Sequence, residues 1–470
     1  MRRRVFMQSV VAIPLTGLLQ PARAWQPGEG VELTPFGFGG AKKMLYDARQ
    51  RPQAVYFNDK VYIGFKGAGV IRRSGEAFTR TMLISYDPRS RQFSKPVPFG
   101  RLTRNHHFCP VVWVDAADHL HMLHGCHVSP GTHLIAKRPG EMGDNEQAWT
   151  VAPKIARRLS YPTAYRIHGN RQVIHYRTGA HRSSWTYRIS DDNGRSWTGP
   201  ANDVTDLDRY NHPEWSSYQV KIPSRDGKYL HVVFTDYDDA RSNDPKRLYN
   251  PRYKQPVNNN WTYNLSYVKI DLQTHVVQND KGEVLKTPID IETARAKCQI
   301  WDTNWRGAGV PPVISLDDQG KPTMLHVISE DDLETHNYYY VRSENGTWAQ
   351  TPITASNHQW NSGYLTRDKK GHIHAYVIVG DDYLDGPGVM NSHGGGRIEQ
   401  WVSKDKGNTW TKHRDITPDP SQYPGWRFNN VQPVPRPDGS AVDGMLLFYG
   451  WPDGEEPKAV AFLLDESERL

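Results

Sequence analysis

The chain has 470 residues and a formal net charge of +7, from 58 Lys and Arg against 51 Asp and Glu. Its first 24 residues contain four arginines and no acid, so the rest of the chain balances 54 basic against 51 acidic residues. Because this remaining charge of +3 is small, bulk electrostatics give no reason to expect a nucleic-acid partner. No later segment approaches ~18 consecutive apolar residues, so we expect no membrane-spanning helix and no membrane partner.

Residues 1–24 have the pattern of an export signal. A basic start, Arg2-Arg3-Arg4, is followed by Val5-Phe6, a modestly apolar run and the small-residue segment Ala22-Arg23-Ala24. This order is typical of a secretory signal, and Arg-Arg-x-Phe is similar to a twin-arginine signal, with an ordinary secretory signal as the alternative. We therefore predict a signal peptide over 1–24 and a single secreted or periplasmic domain over 25–470. Nothing in the sequence indicates an obligate dimer, so we expect a monomer.

The composition favours short strands joined by tight turns. The chain contains 39 glycines, 33 prolines, 24 tyrosines and 15 tryptophans, and it shows no sustained helical periodicity. A polar turn followed by an alternating apolar strand recurs seven times, about 50 to 70 residues apart in most cases. The turns begin near Asn58, Asp118, Gly169, Asp226, Asp318, Lys370 and Asp438.

Radial repetition of four-stranded sheets has this kind of period. We therefore predict an all-β fold, a seven-bladed β-propeller. A six-bladed, sialidase-like propeller is the alternative, because the interval from Asp226 to Asp318 is long. The segment from Asp238 to Asn260, rich in Arg, Asn, Pro and Lys, is the expected insertion loop.

Two segments match the template Ser-x-Asp-x-Gly-x-Ser/Thr-Trp, at residues 190–197 and 403–410, and residues 343–348 look like a degenerate third copy. The template resembles the Asp-box, or BNR repeat, of sialidase-like propellers. The Asp side chain is expected to hold the turn through local hydrogen bonds, while Gly supplies a positive φ. The repeat predicts a fold and carries no catalytic information.

Two histidines occur in the same short sequence pattern, His-x-x-Pro, and the two copies flank a predicted hairpin. His107 lies three residues before Pro110, and His127 lies three residues before Pro130. Between the prolines, the apolar run 111–114, the turn 115–118 and the run 120–124 read as strand, turn and strand, so both histidines are expected at one end. Histidine acts near neutral pH as an acid, a base, a metal ligand or an anion partner.

The sequence does not decide whether two of the three cysteines form a disulfide. Cys109 and Cys126 flank the same predicted hairpin, which is compatible with a disulfide between them, and the odd number of three leaves Cys298 over. No Cys-x-x-Cys pair is present, so a zinc-ribbon site is not expected.

The next predicted strands begin with Tyr161-Pro162 and continue to Tyr176-Arg177-Thr178-Gly179. The order His-x-x-Pro, His-x-x-Pro, Tyr-Pro and Tyr-Arg-x-Gly resembles the BNR-type polysaccharide lyases that cleave ulvan, polysaccharide lyase family 25. The resemblance covers nearly the whole predicted domain at the level of repeats and is most specific over residues 104–190. It implies a secreted seven-bladed lyase acting on an anionic sulfated polysaccharide. Such an enzyme cleaves rhamnose-3-sulfate–uronate links by β-elimination and leaves 4,5-unsaturated uronate ends.

The resemblance also implies catalytic roles. His107 and Tyr161 are expected as base and acid, in an order that depends on whether glucuronate or iduronate is cleaved. His127 and Arg177 are expected to hold the uronate carboxylate, since a permanently charged guanidinium grips a carboxylate bidentately. Arg188 is the alternative to Arg177.

Four further residues are candidates for substrate binding. Tyr218 matches a family tyrosine, and Asn105 lies beside the first histidine. Trp305 and Arg306 belong to an aromatic, basic segment that suits a rim loop, where tryptophan stacks on sugars and arginine meets sulfate or uronate; a buried tryptophan pair is the alternative.

A structural metal, commonly zinc, is also implied by the resemblance, and no organic cofactor is expected. His181 is the first candidate ligand, four residues after Arg177, with Asp236, Asp238 and Cys298 as further candidates. Zinc accepts all three of these ligand types, although no spacing among them is diagnostic.

Two other functions are compatible with such a fold. A sialidase-like hydrolase is disfavoured, because the nearest match to its Arg-Ile-Pro motif, Val70-Ile71-Arg72-Arg73, lacks the proline. A non-catalytic carbohydrate-binding propeller is the second alternative, and it predicts binding of the polymer without turnover.

Overall fold

The fold is taken from a computed structural model of the chain. The structure describes residues 34–38, 45–71, 77–105, 107–208, 215–238, 249–250, 255–256, 261–380, 394–418, 421–452 and 459–467. The predicted signal over 1–24 and most of the predicted insertion loop lie outside these residues. Among the described residues, no helix is long and apolar enough to cross a membrane.

Strands dominate the first half of the described chain, and all named pairings are antiparallel. Thr34–Phe38 (β1) precedes the first sheet in the chain and belongs to the last sheet. The first sheet contains Ala54–Phe57 (β2), Lys60–Ile71 (β3), Ala77–Asp87 (β4), Gln92–Phe93 (β5) and Val97–Thr103 (β6). The second contains Val111–Val114 (β7), Leu120–His124 (β8), Thr132–Ala136 (β9) and Trp149–Val151 (β10). The third contains Ser160–Arg166 (β11), Gln172–Arg177 (β12) and Trp185–Ser190 (β13).

The fourth sheet contains Trp215–Pro223 (β14), Tyr229–Asp238 (β15), Thr262–Asp271 (β18), Val277–Gln278 (β19), Val284–Leu285 (β20), Gln299–Trp301 (β21) and Gly307–Ala308 (β22). Tyr249–Asn250 (β16) and Gln255–Pro256 (β17) pair separately. The fifth contains Val313–Leu316 (β23), Pro322–Ser329 (β24), His336–Glu344 (β25) and Thr347–Ser356 (β26). The sixth contains Tyr364–Arg367 (β27), Ile373–Val379 (β28), Arg397–Ser403 (β29) and Thr411–Asp415 (β30). The seventh contains Trp426–Pro435 (β31), Ala441–Pro452 (β32) and Val460–Asp465 (β33), with β1 added beside β33 at its edge.

Helical structure within the described residues is short. It consists of a 3-10 turn, Glu146–Ala148, and a three-residue α-helix, Ile291–Thr293, which runs into the π-helical turn Ala294–Cys298. The prediction of an all-β fold is therefore confirmed.

The seven polar turns recognised in the sequence each join the first two strands of one sheet. The first strands contact one another in chain order, β2 with β7, β7 with β11, β14 with β23, β23 with β27, β27 with β31, and β31 with β2. Between β11 and β14, the Tyr165 hydroxyl donates to the Lys221 carbonyl at 2.5 Å. A central cavity of about 670 Å³ is lined by residues of all seven first strands.

The first and last parts of the described chain meet in one sheet, because β1 pairs with β33. Apolar clusters fill the spaces between neighbouring sheets. Val55 and Leu83 of the first sheet, for example, pack with Val112 and Met122 of the second. Burying a side chain of this size stabilises the fold by about 1.5–3 kcal/mol, so packing between adjacent sheets fixes their relative positions.

Both full Asp-box matches form the expected turn. In the first, the Asp192 carboxylate accepts hydrogen bonds from the Ser190 hydroxyl at 2.8 Å and from the backbone N–H and hydroxyl of Ser196 at 2.8 and 2.6 Å. Asp405 makes the equivalent contacts in the second copy. Residues 343–348 instead form a two-residue hairpin turn, with positive φ at Asn345 and Gly346, and no Asp side chain holds it.

Replacing Asp192 with alanine tests the structural role of the Asp-box. We expect Asp192→Ala to lower the free energy of unfolding by about 1–3 kcal/mol, because several bonds to the carboxylate are lost together. Asp191→Ala is the matched control, since Asp191 is exposed and forms an ion pair with Arg171 at 3.0 Å, which is worth about 0–1 kcal/mol. Equal losses in denaturant unfolding would contradict this account.

Candidate active site

The predicted histidine hairpin is confirmed as the pair β7–β8, in which Val111 pairs with Leu123 and Val114 with Leu120. This register places the residues entering β7 and those leaving β8 at one end. The rings of His107 and His127 accordingly lie 4.6 Å apart between centroids. The flanking Cys109 and Cys126 are buried and are not disulfide-bonded, so no disulfide closes the hairpin.

Tyr161 brings the third sheet to the histidine pair. Its ring centroid lies 5.4 Å from that of His107 and 5.8 Å from that of His127. The side chain is fully buried, and its backbone has φ of +54° at a register irregularity between Ser160 and Thr163. Such a conformation costs a non-glycine residue about 1–3 kcal/mol, which the surrounding packing must offset to hold the ring in this position.

Arg177 ends β12 and is fully buried beside the tyrosine. Its guanidinium carbon lies 4.7 Å from the ring centroid of Tyr161 and 5.5 Å from that of Tyr218. All three of its side-chain nitrogens are buried without a hydrogen-bond partner among the described residues. The rings offer cation–π attraction but no carboxylate-like acceptor, and an unpaired buried charge is costly. The guanidinium is therefore available for a bidentate anion.

Two residues that the sequence analysis missed complete the cluster. The Asp47 carboxylate contacts His107 Nδ1 at 2.9 Å and accepts from Arg49 Nε at 2.7 Å. The Arg49 guanidinium carbon lies 4.8 Å from the Tyr161 centroid, so two cations flank this ring. The segment holding Asp47 and Arg49 precedes the first sheet and carries no recognisable motif; a close pair of opposite charges was its only signal.

Burial and the local charges set the protonation states of the cluster. Burial lowers the pKa of His107 to about 4, although its hydrogen bond to the Asp47 carboxylate opposes this shift. Burial and then the charge of Arg177 lower the pKa of His127 to about 4. Burial, together with Tyr218, raises the pKa of Tyr161 well above its ordinary value, although Arg49 and Arg177 oppose the shift. At neutral pH the site therefore offers neutral imidazoles and a protonated phenol.

Two predicted substrate-binding residues also lie in this cluster. The Asn105 side chain accepts from the His107 backbone N–H at 3.0 Å, and its amide nitrogen lies 3.3 Å from His127 Nδ1. The Tyr218 ring packs 5.7 Å from that of Tyr161. Asn105 thus connects the two histidines, and Tyr218 covers the far side of the tyrosine and arginine pair.

The other two predicted substrate residues make different contacts. Trp305 lies between β21 and β22, is partly buried, and packs 5.1 Å from Tyr263. Arg306 forms an ion pair with Glu330 at 3.4 Å. These side chains belong to the rim of the fourth and fifth sheets, and their proposed contact with sugar stays a prediction.

The candidate zinc ligands do not form a metal site in the described part of the chain, where no group of three or more His, Cys, Asp or Glu side chains is placed to hold an ion. Asp236 pairs with Arg295 at 2.9 Å, and His181 lies against Tyr237. Cys298 packs in an apolar cluster, where burial raises its pKa to about 12 and disfavours a thiolate ligand. The side chain of Asp238 lies outside the described residues. The zinc prediction therefore gains no support from the described residues.

The fold and the cluster together define an all-β, propeller-like protein with a His–His–Tyr–Arg site where the second and third sheets meet. The model of the BNR repeat-containing family matches residues 75–356, and the chain belongs to this family.

Its relatives confirm the predicted resemblance to ulvan lyases. An ulvan lyase of Nonlabens ulvanivorans is 22% identical over 331 residues, covering 63% of this chain and 62% of the relative. An ulvan lyase of Alteromonas sp. (strain LOR) is 23% identical over 308 residues, covering 58% and 57%. The matched regions thus span about three-fifths of these relatives. A solved PL25 ulvan lyase bound to -[GlcA(1-4)Rha3S]- has a TM-score of 0.72 at 16% identity, covering 93% of this chain and 96% of that one.

The protonation state of His107 can be measured directly. In the folded protein we expect its ring resonances to titrate with a midpoint near 4, against about 6.5 for an unperturbed histidine. Between these values the unfolded chain binds more protons, so the free energy of unfolding falls as pH drops from about 6.5 to 4. Histidine-selective NMR, with His107→Gln to assign the signal, makes the measurement, and a midpoint near 6.5 would contradict it.

Proposed function

We propose that the protein is a polysaccharide lyase that cleaves ulvan by β-elimination at a uronate. The observation that carries this proposal is the fully buried Arg177 guanidinium, which lacks a hydrogen-bond partner among the described residues and lies beside a protonated tyrosine and neutral histidines. A uronate carboxylate matches this arrangement in charge and in bidentate geometry. The names and folds of the relatives support the same substrate class.

Carboxylate binding is the first step of the proposed chemistry. The C5 proton of a uronate is barely acidic while the adjacent carboxylate keeps its full negative charge. Arg177 offsets that charge with two parallel hydrogen bonds, and His127 Nε2, which is buried without a partner in the described structure, contributes a third. Water exclusion strengthens these contacts, because the local dielectric is low.

His107 is proposed as the base. Its Nδ1 faces the Asp47 carboxylate at 2.9 Å, so the proton of the neutral ring resides on Nδ1 and the lone pair on Nε2. Nε2 takes the C5 proton, and the electrons of that C–H bond form the C4–C5 double bond. Asp47 then stabilises the imidazolium, as a carboxylate does for a histidine base in other enzymes.

Tyr161 is proposed as the acid. Its hydroxyl is buried without a partner among the described residues, and its raised pKa keeps the proton in place. As the C4–O bond breaks, its electron pair leaves with the oxygen, which takes the phenolic proton. The products are a 4,5-unsaturated uronate end and a free hydroxyl on the preceding sugar. Because Tyr161 and Arg177 are fully buried, substrate reaches them only when a covering group moves.

We also propose that the seven sheets are the seven blades of a propeller whose first strands line the axis. Their contacts in chain order and the pairing of β1 with β33 support this interpretation. Export through residues 1–24, secreted or periplasmic action and a monomeric state belong to the same proposal, and their support is the sequence pattern described above.

Removing either proton-transfer group tests the lyase proposal. We expect His107→Ala and Tyr161→Phe each to lower kcat for ulvan about 10²–10⁴-fold, which is the usual contribution of a general acid or base. Release of the unsaturated uronate is followed by ultraviolet absorbance and product mass. His119→Ala is the control and should retain activity, since the His119 ring contacts the Ala136 carbonyl within the second sheet, at 2.7 Å, away from the candidate site.

Polymer binding without unsaturated product from the unmodified protein would instead establish a non-catalytic binding protein. If kcat for ulvan is unchanged in both His107→Ala and Tyr161→Phe, the assignment of the proton-transfer groups is contradicted.

Asp47→Asn tests whether the carboxylate positions the base. We expect kcat to fall roughly 10²-fold or more with KM changed less than about threefold, because the amide no longer favours the Nδ1–H tautomer. Asp59→Asn is the matched control, since Asp59 is exposed and pairs with Arg89. A large rise in KM with kcat unchanged would show that Asp47 serves binding instead.

A further inference from the structure

A basic groove of about 1000 Å³ opens beside the two histidines. It reaches from the first sheet to the loop after β8, and both His107 and His127 line it. No Asp or Glu occurs among its described lining residues. Its other basic members are Lys66, Arg101, Arg104 and His124, and Thr81 is among its polar residues. Such a concentration of basic side chains attracts anions, and the proposed contacts to the uronate carboxylate do not use these residues.

Lys66 lies at the floor of this groove. The residue is 1% exposed, and its ammonium contacts the Thr79 carbonyl at 3.5 Å, the limit of a hydrogen bond. Burial lowers its pKa to about 8, so the charged form still predominates at neutral pH. A buried ammonium without an acidic partner in the described structure is costly, and an anion in the groove would supply the missing contacts.

His124 adds an oriented donor next to this ammonium. Its Nδ1 lies 3.4 Å from the Thr81 hydroxyl, and its Nε2 is buried without a partner among the described residues. If the hydroxyl donates to Nδ1, the ring hydrogen resides on Nε2 and can be donated into the groove. Gly100 faces this ring: a Cβ built there would lie 3.3 Å from His124 Cε1. A side chain at position 100 would therefore crowd the imidazole.

We propose that Lys66 and His124 bind a sulfate ester on the sugar adjacent to the cleaved uronate, with Arg101 at the rim of the same site. This inference rests on the proposed lyase function. Sulfate offers the three acceptor oxygens that an ammonium and an imidazole N–H require. In an alternating polymer such as the -[GlcA(1-4)Rha3S]- bound by the solved relative, the neighbours of each uronate carry sulfate. The groove lies directly beside the histidine pair, where such a neighbour would extend.

Comparing ulvan with chemically desulfated ulvan tests the assignment. We expect kcat/KM of the unmodified protein for ulvan to exceed that for the desulfated polymer at least tenfold. Lys66→Met keeps most of the side-chain volume, and it should bring the ratio of kcat/KM for ulvan to kcat/KM for desulfated ulvan to within threefold of one. Lys66→Arg should restore the preference for ulvan in part. Lys154→Met is the matched control: Lys154 is exposed and outside the groove, and the ratio should stay unchanged.

Binding is measured separately from cleavage in the His107→Ala background. Adding Lys66→Met, or His124→Leu if the first variant fails to fold, should weaken binding of a sulfated ulvan oligosaccharide at least tenfold. If the protein cleaves ulvan but Lys66→Met leaves the ratio of kcat/KM for ulvan to kcat/KM for desulfated ulvan unchanged, the sulfate site is overturned and the lyase proposal stands. If the substitution weakens binding of the desulfated oligosaccharide by the same factor, the groove binds the carboxylate instead, and the sulfate assignment is overturned. Sulfate-dependent binding without cleavage by the unmodified protein would support the site and contradict the lyase proposal.

Discussion

The guanidinium of Arg177, buried against Tyr161 and Tyr218 without a hydrogen-bond partner in the described structure, is the feature on which the functional account depends. A folded chain tolerates such a charge only when the surrounding structure holds it in place. Here the backbone does so, because Arg177 pairs with Ser160 on one side and with Trp185 on the other. Tyr161 is fixed by the same strand pair. The third sheet thus presents cation and phenol together, while the second sheet supplies the imidazoles.

Comparison of the two arginines beside Tyr161 explains why only one is assigned to the substrate. Arg49 is neutralised by Asp47, which accepts from its Nε at 2.7 Å and from its terminal nitrogen at 2.9 Å. That carboxylate also orients His107, and Arg49 and His107 hold the pKa of Asp47 well below its ordinary value, although burial opposes this. Arg177 has no such counter-charge in the described structure. One arginine therefore maintains the base, and the other is left for an incoming anion.

The sequence predicted the parts of this site that arise from local patterns. The hairpin carrying His107 and His127 follows from alternation, and the seven polar turns follow from turn chemistry, so both were readable without a structure. The contact between Asp47 and His107 joins residues 60 positions apart and leaves no local pattern. The zinc set, beginning with His181, came from resemblance alone, and neither the spacing nor the described geometry supports it. The prediction for Trp305 and Arg306 rests on local composition, and composition carries no information about their contacts with Tyr263 and Glu330.

The most direct test of the central claim compares binding of a uronate oligosaccharide with binding of its carboxyl-reduced analogue, in which each uronate is converted to a neutral sugar. The measurement uses the Tyr161→Phe protein, so that the substrate stays intact. If Arg177 receives the carboxylate, reduction should weaken binding by about 10²-fold or more, as expected when a buried charge loses its partner. Adding Arg177→Met should abolish most of this difference. Equal affinity for both oligosaccharides, or a difference that persists without the guanidinium, would contradict the account.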